Sequence, residues 1–168
     1  MNVSDVMTAN PVTISRSSTV HHALYVMQQN HCHHLPITSD EKHLVGLITA
    51  EDCHRILGWF YLHQQEAGGE GNERLLVRNV MTLAPIIVEP DAPAYEAARL
   101  MLIHHLTGLP VMRGETLVGM VTTSDLLIAF IENSTSTQPP HPQTLKTFYH
   151  DGSREVHREA YNGIGIVK

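Results

Sequence analysis

The chain has 168 residues, of which 42% are hydrophobic, and a chain of that length buries roughly two thirds of its unfolded surface, enough for one core or two small ones. Its net charge of −6, with 11 lysines and arginines against 17 acidic residues, argues against a nucleic-acid-binding protein, which normally presents a basic face. Cys32 and Cys53 form no CxxC pair, no signal-peptide core is present and no apolar run is long enough to span a membrane, so we expect a cytoplasmic protein without membrane contact.

The first 66 residues predict a helical turn followed by strand, helix, hairpin and helix. Apolar residues from Val20 to Met27 recur at the spacing of one helix face, and Ser17 or Ser18 is the expected N-cap. The predicted elements are a helical turn at 3–8, a strand at 12–14, a helix ending near Asn30, strands at 35–38 and 44–48, and a helix beginning near Ala50.

The same order returns after a glycine-rich segment at 67–73, which we predict to be a linker. The predicted elements are a strand at 86–88, a helix with Pro93 in its first turn, strands at 109–112 and 117–121, and a helix at 124–131. Beyond residue 131 the chain is rich in Ser, Thr, Gln and Pro. The tail from Leu145 contains either a hairpin around Asp151-Gly152 or a partly disordered extension. We therefore predict repeats at 1–66 and 74–131, and a polar linker with a C-terminal extension at 132–168.

The two halves are copies of one another. Gly119 and Asp125 lie 73 positions after Gly46 and Asp52, whereas Leu109-Pro110 lies 74 positions after its counterpart. One residue is therefore missing from the second copy's hairpin turn. So regular an offset indicates a tandem duplication.

Each copy contains an apolar run that ends in a Thr-x-x-Asp motif, formed by Thr49 and Asp52 and again by Thr122 and Asp125. The pattern predicts a strand, a turn and a helix N-terminus. Free backbone N–H groups at such a junction suit a phosphate, and the carboxylate can accept hydrogen bonds from a ribose diol. A carboxylate there also stabilises the helix dipole by about 0.3–1 kcal/mol, so each acid taken alone has a purely structural explanation as well.

These motifs, together with Met-Thr before Asn10-Pro11 and before Ala84-Pro85, resemble the cystathionine β-synthase (CBS) domain family. The resemblance covers residues 1–131. It implies an α/β (α+β) fold, a tandem CBS-domain pair in which two β-α-β-β-α repeats pack sheet to sheet with pseudo-twofold symmetry. In that family, two clefts between the repeats can bind adenosine nucleotides or S-adenosylmethionine, and the modules dimerise.

The resemblance also implies a set of binding residues. Asp52 and Asp125 become candidates for holding ribose hydroxyls, and Thr49 and Thr122 for contacting ribose or phosphate. The segments that enter the second strands would line the purine: His33, His34 and Leu35, and Thr107, Gly108 and Leu109. Val12 and Ile86, which lead the first strands, would offer backbone and apolar contacts. Either repeat could supply either wall of a cleft.

For phosphate, the sequence offers Arg55 and His34 near the first motif. Ile128 stands at the position of Arg55 in the second copy. We therefore expect the Asp52 site to favour phosphorylated ligands and the Asp125 site to accept adenosine or to remain empty.

Thirteen histidines raise the possibility of a metal site. The densest group is the run from His31 to His34, but adjacent residues of an extended segment point to opposite faces, so at most two of its four members could bind one ion. We therefore expect surface or ligand-lining histidines and no metal. Nothing in the sequence places a nucleophile beside a base, and we expect no catalysis.

The sequence thus predicts a stand-alone regulatory CBS module that binds AMP, ADP, ATP or S-adenosylmethionine and transmits the bound state to a partner protein. A homodimer is expected, with one of Trp59, Phe60 and Tyr61 facing the second copy. The alternative is a structural or dimerisation module whose ligand sites are vestigial.

Overall fold

The computed structural model describes residues 1–39, 43–63 and 75–135, without the side chains of residues 60–63 and 135. These residues belong to one compact unit. The predicted linker at 67–73 and the predicted C-terminal tail lie outside the described residues. Within the described part of the chain, no helix is both long and apolar enough to cross a membrane.

The elements alternate as the sequence predicts, and they form one mixed and one antiparallel sheet, both flanked by helices. In chain order they are α1 (Val3–Val6), β1 (Thr8–Ala9), β2 (Ile14–Ser15), α2 (Val20–Gln29), β3 (His34–Thr38), β4 (Leu44–Thr49), α3 (Ala50–His63), a 3₁₀ helix (Val77–Asn79), β5 (Thr82–Leu83), α4 (Ala94–His104), β6 (Gly108–Arg113), β7 (Thr116–Thr122) and α5 (Thr123–Thr135). The predicted α/β fold is therefore confirmed.

Each sheet is built around one antiparallel hairpin, β3–β4 in the first half and β6–β7 in the second. The first sheet has the strand order β2-β3-β4-β5 and the second has the order β1-β7-β6. Strand β5 comes from the second half of the sequence and β1 from the first. The two repeats therefore exchange their leading strands.

The exchange extends into both hydrophobic cores. Val3 is fully buried in the core of the second repeat, beside Val88 and Ala97, and its N–H donates to the Ala92 carbonyl at 2.9 Å. Val77 is fully buried in the core of the first repeat. Because each core contains residues from both sequence repeats, separating the repeats would open both cores.

Several local predictions need correction. Helix α2 is capped by Thr19, whose Oγ1 accepts the His22 N–H at 3.1 Å, because Ser15 to Ser18 close a turn that delays the helix start. Within the predicted strand 12–14, only Ile14 lies in a strand. In the segment 86–88, only Val88 pairs, as an isolated bridge, because the residues before it line a cleft instead. Pro93 is the N-cap of α4 and precedes its first turn.

The close contact between the exchanged segment and Gly46 can be tested by substituting this glycine. A Cβ on Gly46 would lie 2.9 Å from the Thr82 carbonyl oxygen and 2.8 Å from Met81 Sδ, whereas a Cβ on Gly58 in α3 would meet nothing within 4 Å. We expect Gly46→Ala to lower the free energy of unfolding by about 1–3 kcal/mol through overpacking. The control Gly58→Ala should raise it by about 0.5–1 kcal/mol through helix propensity. Urea unfolding measures both, and equal stability of the two variants would contradict the close crossing at Gly46.

Candidate functional site

Both Thr-x-x-Asp motifs form the same hydrogen-bonded corner at the start of a helix. Asp52 Oδ2 accepts the Thr49 backbone N–H at 3.1 Å and its hydroxyl at 2.7 Å, and the Asp52 N–H donates to Thr49 Oγ1 at 3.1 Å. At Thr122 and Asp125 the corresponding distances are 2.7, 2.7 and 3.3 Å. This reciprocal arrangement is a capping box, so one carboxylate oxygen of each acid stabilises its helix.

The second carboxylate oxygen distinguishes the two corners. Asp52 Oδ1 accepts a hydrogen bond from the Arg55 guanidinium. Asp125 has Ile128 at the equivalent position, and among the described residues its Oδ1 has no hydrogen-bond partner. The Asp125 corner therefore keeps an acceptor available for a ligand.

Two clefts lie between the repeats, and each joins the Thr-x-x-Asp corner of one repeat to two segments of the other. The Asp52 cleft, of about 600 Å³, is completed by residues 84–86 and 104–108 of the second repeat. The Asp125 cleft, of about 470 Å³, is completed by residues 10–12 and 30–34 of the first repeat. These segments are equivalent in the duplication, so the clefts are related by its symmetry.

Most of the residues predicted for the site line a cleft. Those that do are Thr49, Asp52, Thr122, Asp125, His33, His34, Val12, Ile86, Thr107 and Gly108. Leu35 and Leu109 are fully buried in the two cores and appear in the lining of neither cleft. Arg55 is also outside the lining, with its side chain 74% exposed and bonded to Asp52.

Residues in a left-handed backbone conformation also line the clefts, although neither that conformation nor a binding role was predicted for them from the sequence. Asn10 and His31 border the Asp125 cleft with φ of 51°, while Ala84 and His105 border the Asp52 cleft with φ of 45° and 54°. They are the four non-glycine residues with positive φ in the described part of the chain. Such conformations are unfavourable for L-residues and often occur at functional sites. The sequence does contain one signal of this conformation. Helices commonly end with a residue in the left-handed conformation, usually glycine, and no glycine directly follows α2 or α4, so another residue type must adopt it there.

His34 connects the two clefts. Its ring lines both of them, and Nε2 lies 2.9 Å from the Thr107 hydroxyl of the other repeat. A Cβ on Gly108 would come within 2.9 Å of the ring. Gly108 is the counterpart of His34 in the duplication, so one repeat supplies a ring and the other the space that it occupies.

The surroundings of His34 favour its neutral form. Burial lowers the pKa of the imidazole below its ordinary value of 6.5, and the nearby His33 lowers it further, whereas Asp125 and Asp52 act in the opposite direction. Because desolvation is the largest of these effects, His34 is mostly uncharged at neutral pH.

Histidines also line a third cavity, of about 710 Å³, on the α2 side of the first repeat, with His21, His31, His33 and His54 in its wall. Within residues 1–39, 43–63 and 75–135, no group of three or more His, Cys, Asp or Glu side chains is arranged to hold a metal ion.

Comparison with known proteins gives matches to both repeats. A family model described as CBS domain matches residues 3–58 and 77–132. A CBS domain-containing protein of Dictyostelium discoideum is 32% identical over 144 residues, which are 84% of this chain and 97% of that protein. A homoserine O-acetyltransferase of Methanohalobium evestigatum is 30% identical over 125 residues, but the match spans 23% of the enzyme. The crystal structure of CBSX2 in complex with AMP is 26% identical, with a TM-score of 0.65, and covers 79% of this chain and 98% of CBSX2.

The environment of His34 predicts a pH effect on stability. Because folding lowers its pKa, the unfolded chain binds more protons than the folded protein as the pH falls below 6.5. The stability associated with the neutral ring is therefore complete above pH 6.5 and is lost as the pH falls through the lowered pKa. Between about pH 7.5 and about pH 5.5 we expect the Tm of the wild type to fall more steeply than that of His34→Gln. Calorimetry at several pH values tests this, with the exposed His21→Gln as control, and parallel curves for wild type and His34→Gln would refute it.

Proposed function

This chain belongs to the CBS domain family, and we propose that it is a non-enzymatic regulatory module that binds an adenosine-containing ligand in the clefts between its repeats. AMP, ADP, ATP and S-adenosylmethionine are the candidate ligands. The proposal rests on Asp125: one carboxylate oxygen caps α5, and the other has no partner among the described residues, on the wall of a 470 Å³ cleft. A carboxylate in that position can accept hydrogen bonds from a ribose.

The comparison with CBSX2 supports an adenosine ligand. That protein has been crystallised with AMP, and this chain matches 98% of its length. We assign the ribose to Asp125 or Asp52, the phosphate side to the neighbouring helix N-terminus, and the purine to the segments around Val12 and Ile86. If the Arg55 guanidinium leaves Asp52, it becomes a second hydrogen-bond donor to a phosphate in the Asp52 cleft.

Binding can become a signal because both repeats contribute to each cleft. A ligand there stabilises the arrangement in which the two walls are correctly spaced. At 100 times its dissociation constant, a ligand stabilises the bound state by about 2.7 kcal/mol. We propose that a partner protein responds to this shift.

Substitution of the motif acids tests the ligand proposal. We expect Asp125→Ala to weaken binding of the preferred adenosine ligand by about 1.5–3 kcal/mol, because a hydrogen bond to a charged acceptor is lost. Asp52→Ala should have a similar effect at the other cleft. Isothermal titration calorimetry with AMP, ADP, ATP, S-adenosylmethionine and adenosine measures the affinities. Absence of binding for all five would favour the structural module with vestigial sites.

The alanine variants also lose a helix cap, which costs about 0.5–2 kcal/mol of stability, so a matched substitution is needed. Asp125→Glu keeps the capping box, in which Glu is a usual partner, but displaces the carboxylate by one methylene. It should retain the wild-type Tm and still bind more weakly. Cys32 lines the Asp125 cleft and the third cavity but not the Asp52 cleft, so its reactivity reports on binding in the Asp125 cleft rather than the Asp52 cleft. Its alkylation should slow when ligand is bound, whereas Cys53 is buried, with a pKa raised to about 11 by burial and the charge of Asp52, and should stay unlabelled.

A second copy of the chain is the proposed occupant of an apolar surface on α4 and α5. Tyr95, Leu102, Leu127 and Phe130 are each more than 60% exposed there, and they border a groove of about 610 Å³. Large apolar patches of this kind usually mark interfaces, and a homodimer is also what the family resemblance implies. On α3, Trp59 is 53% exposed, so a partner contact on that helix stays a prediction.

Charged substitutions test the dimer. We expect Leu127→Asp and Phe130→Asp to convert a dimer into a monomer, because each places a carboxylate in the apolar contact. Ile87→Asp, at an exposed position outside α4 and α5, is the control and should stay dimeric. Sedimentation velocity distinguishes the states. A wild-type protein that is monomeric at all accessible concentrations would contradict the proposed interface.

A further inference from the structure

The clefts contain no permanent positive charge in the described part of the chain. The Asp52 cleft carries the carboxylates of Glu51 and Asp52, the Asp125 cleft carries that of Asp125, and neither lining includes a lysine or arginine. The guanidinium of Arg55 is bound to Asp52 and lies outside the lining. A phosphate entering either cleft therefore meets carboxylates and imidazoles.

His34 is the imidazole best placed to respond to such a ligand. His33 and His34 both belong to the walls of the two clefts, and the His34 ring in addition contacts the other repeat, at the Thr107 hydroxyl and in the space above Gly108. A protonated imidazole donates from both nitrogens. Nε2 can then keep the bond to Thr107, and the ring gains the charge that attracts a phosphate.

We propose that a phosphate-bearing adenosine ligand binds this protein together with a proton, which His34 takes up from solvent, whereas adenosine without phosphate binds without one. This inference rests on the proposed function. It makes His34 a specificity-determining residue: the neutral ring accepts an uncharged adenosine ligand, and the imidazolium strengthens the binding of a phosphorylated one. Discrimination between the two ligand classes therefore depends on pH.

The titratable groups that face His34 determine whether protonation of its ring is favoured or opposed. His33 on the same strand opposes protonation, and Asp52 and Asp125 at the starts of α3 and α5 favour it. At the ends of α2 and α4, His31 and His105 complete the cleft walls. A dianionic phosphate adds further negative charge to this group. It shifts the equilibrium toward the imidazolium.

Calorimetry of the full chain at about pH 7, in buffers of different ionisation enthalpy, measures the proton directly. We expect uptake of up to about one proton per AMP in the wild type, and none with adenosine. The affinity for AMP should fall by as much as about tenfold per pH unit as the pH rises. His34→Gln should bind AMP more weakly, without proton uptake. His21→Gln, outside both clefts, should behave as the wild type.

A second measurement does not depend on how well the variant folds. Histidine-selective NMR of the wild type follows the titration of the His34 ring, and its midpoint should move to higher pH when AMP is added. AMP binding without proton uptake, uptake that persists in His34→Gln because the ligand phosphate or another cleft histidine such as His33 carries the proton, or an unmoved midpoint would each overturn the inference while leaving adenosine binding intact. Failure of both AMP and adenosine to bind would overturn the proposed function, and this inference with it.

Discussion

The packing of each repeat's leading segment against the other repeat is the interaction on which the rest of the structure depends. Thr8 pairs with Met120 in one sheet, and Thr82 pairs with Leu47 in the other. A Cβ on Gly119 would overlap Met7 Sδ, so glycine lets the exchanged segment lie directly on the strand. Because the walls of each cleft come from both repeats, this exchange also fixes the width of the clefts. A ligand that bridges the walls therefore acts on the same contacts that hold the protein together.

Local patterns were enough to predict the order of elements. The apolar face from Val20 to Met27 and the hairpin strands are encoded by residues close together in sequence, and α2 ends at Gln29 with Asn30 as its C-cap, close to the predicted end near Asn30. The strand exchange could not be predicted in this way. The partner of Thr8 lies more than a hundred positions away, and a two-residue strand carries no periodicity of its own. The duplication predicts that both exchanges occur once either is known, because Thr8 and Thr82 are equivalent positions.

The candidate site shows a similar division between local and long-range information. The corners at Asp52 and Asp125 were predictable because the capping box is a local motif. The left-handed conformation of Ala84 was not, since alanine rarely adopts positive φ, whereas Asn10 and His105 belong to residue types that adopt it more often. Arg55 was expected to bind phosphate because of its positive charge. That expectation did not consider Asp52, which lies one helical turn away and forms an ion pair with the Arg55 guanidinium. The meeting of His34 with Gly108 depends on how the two repeats pack against each other, which local sequence patterns do not specify.

The central claim is that the inter-repeat clefts are adenosine sites built on the Thr-x-x-Asp corners. A crystal structure of the protein grown with saturating AMP tests this most directly. The account predicts the nucleoside in the Asp125 cleft, with ribose hydroxyls hydrogen-bonded to the carboxylate oxygen that does not cap α5. Clefts that stay empty of nucleotide, or AMP bound away from both Asp52 and Asp125, would contradict it.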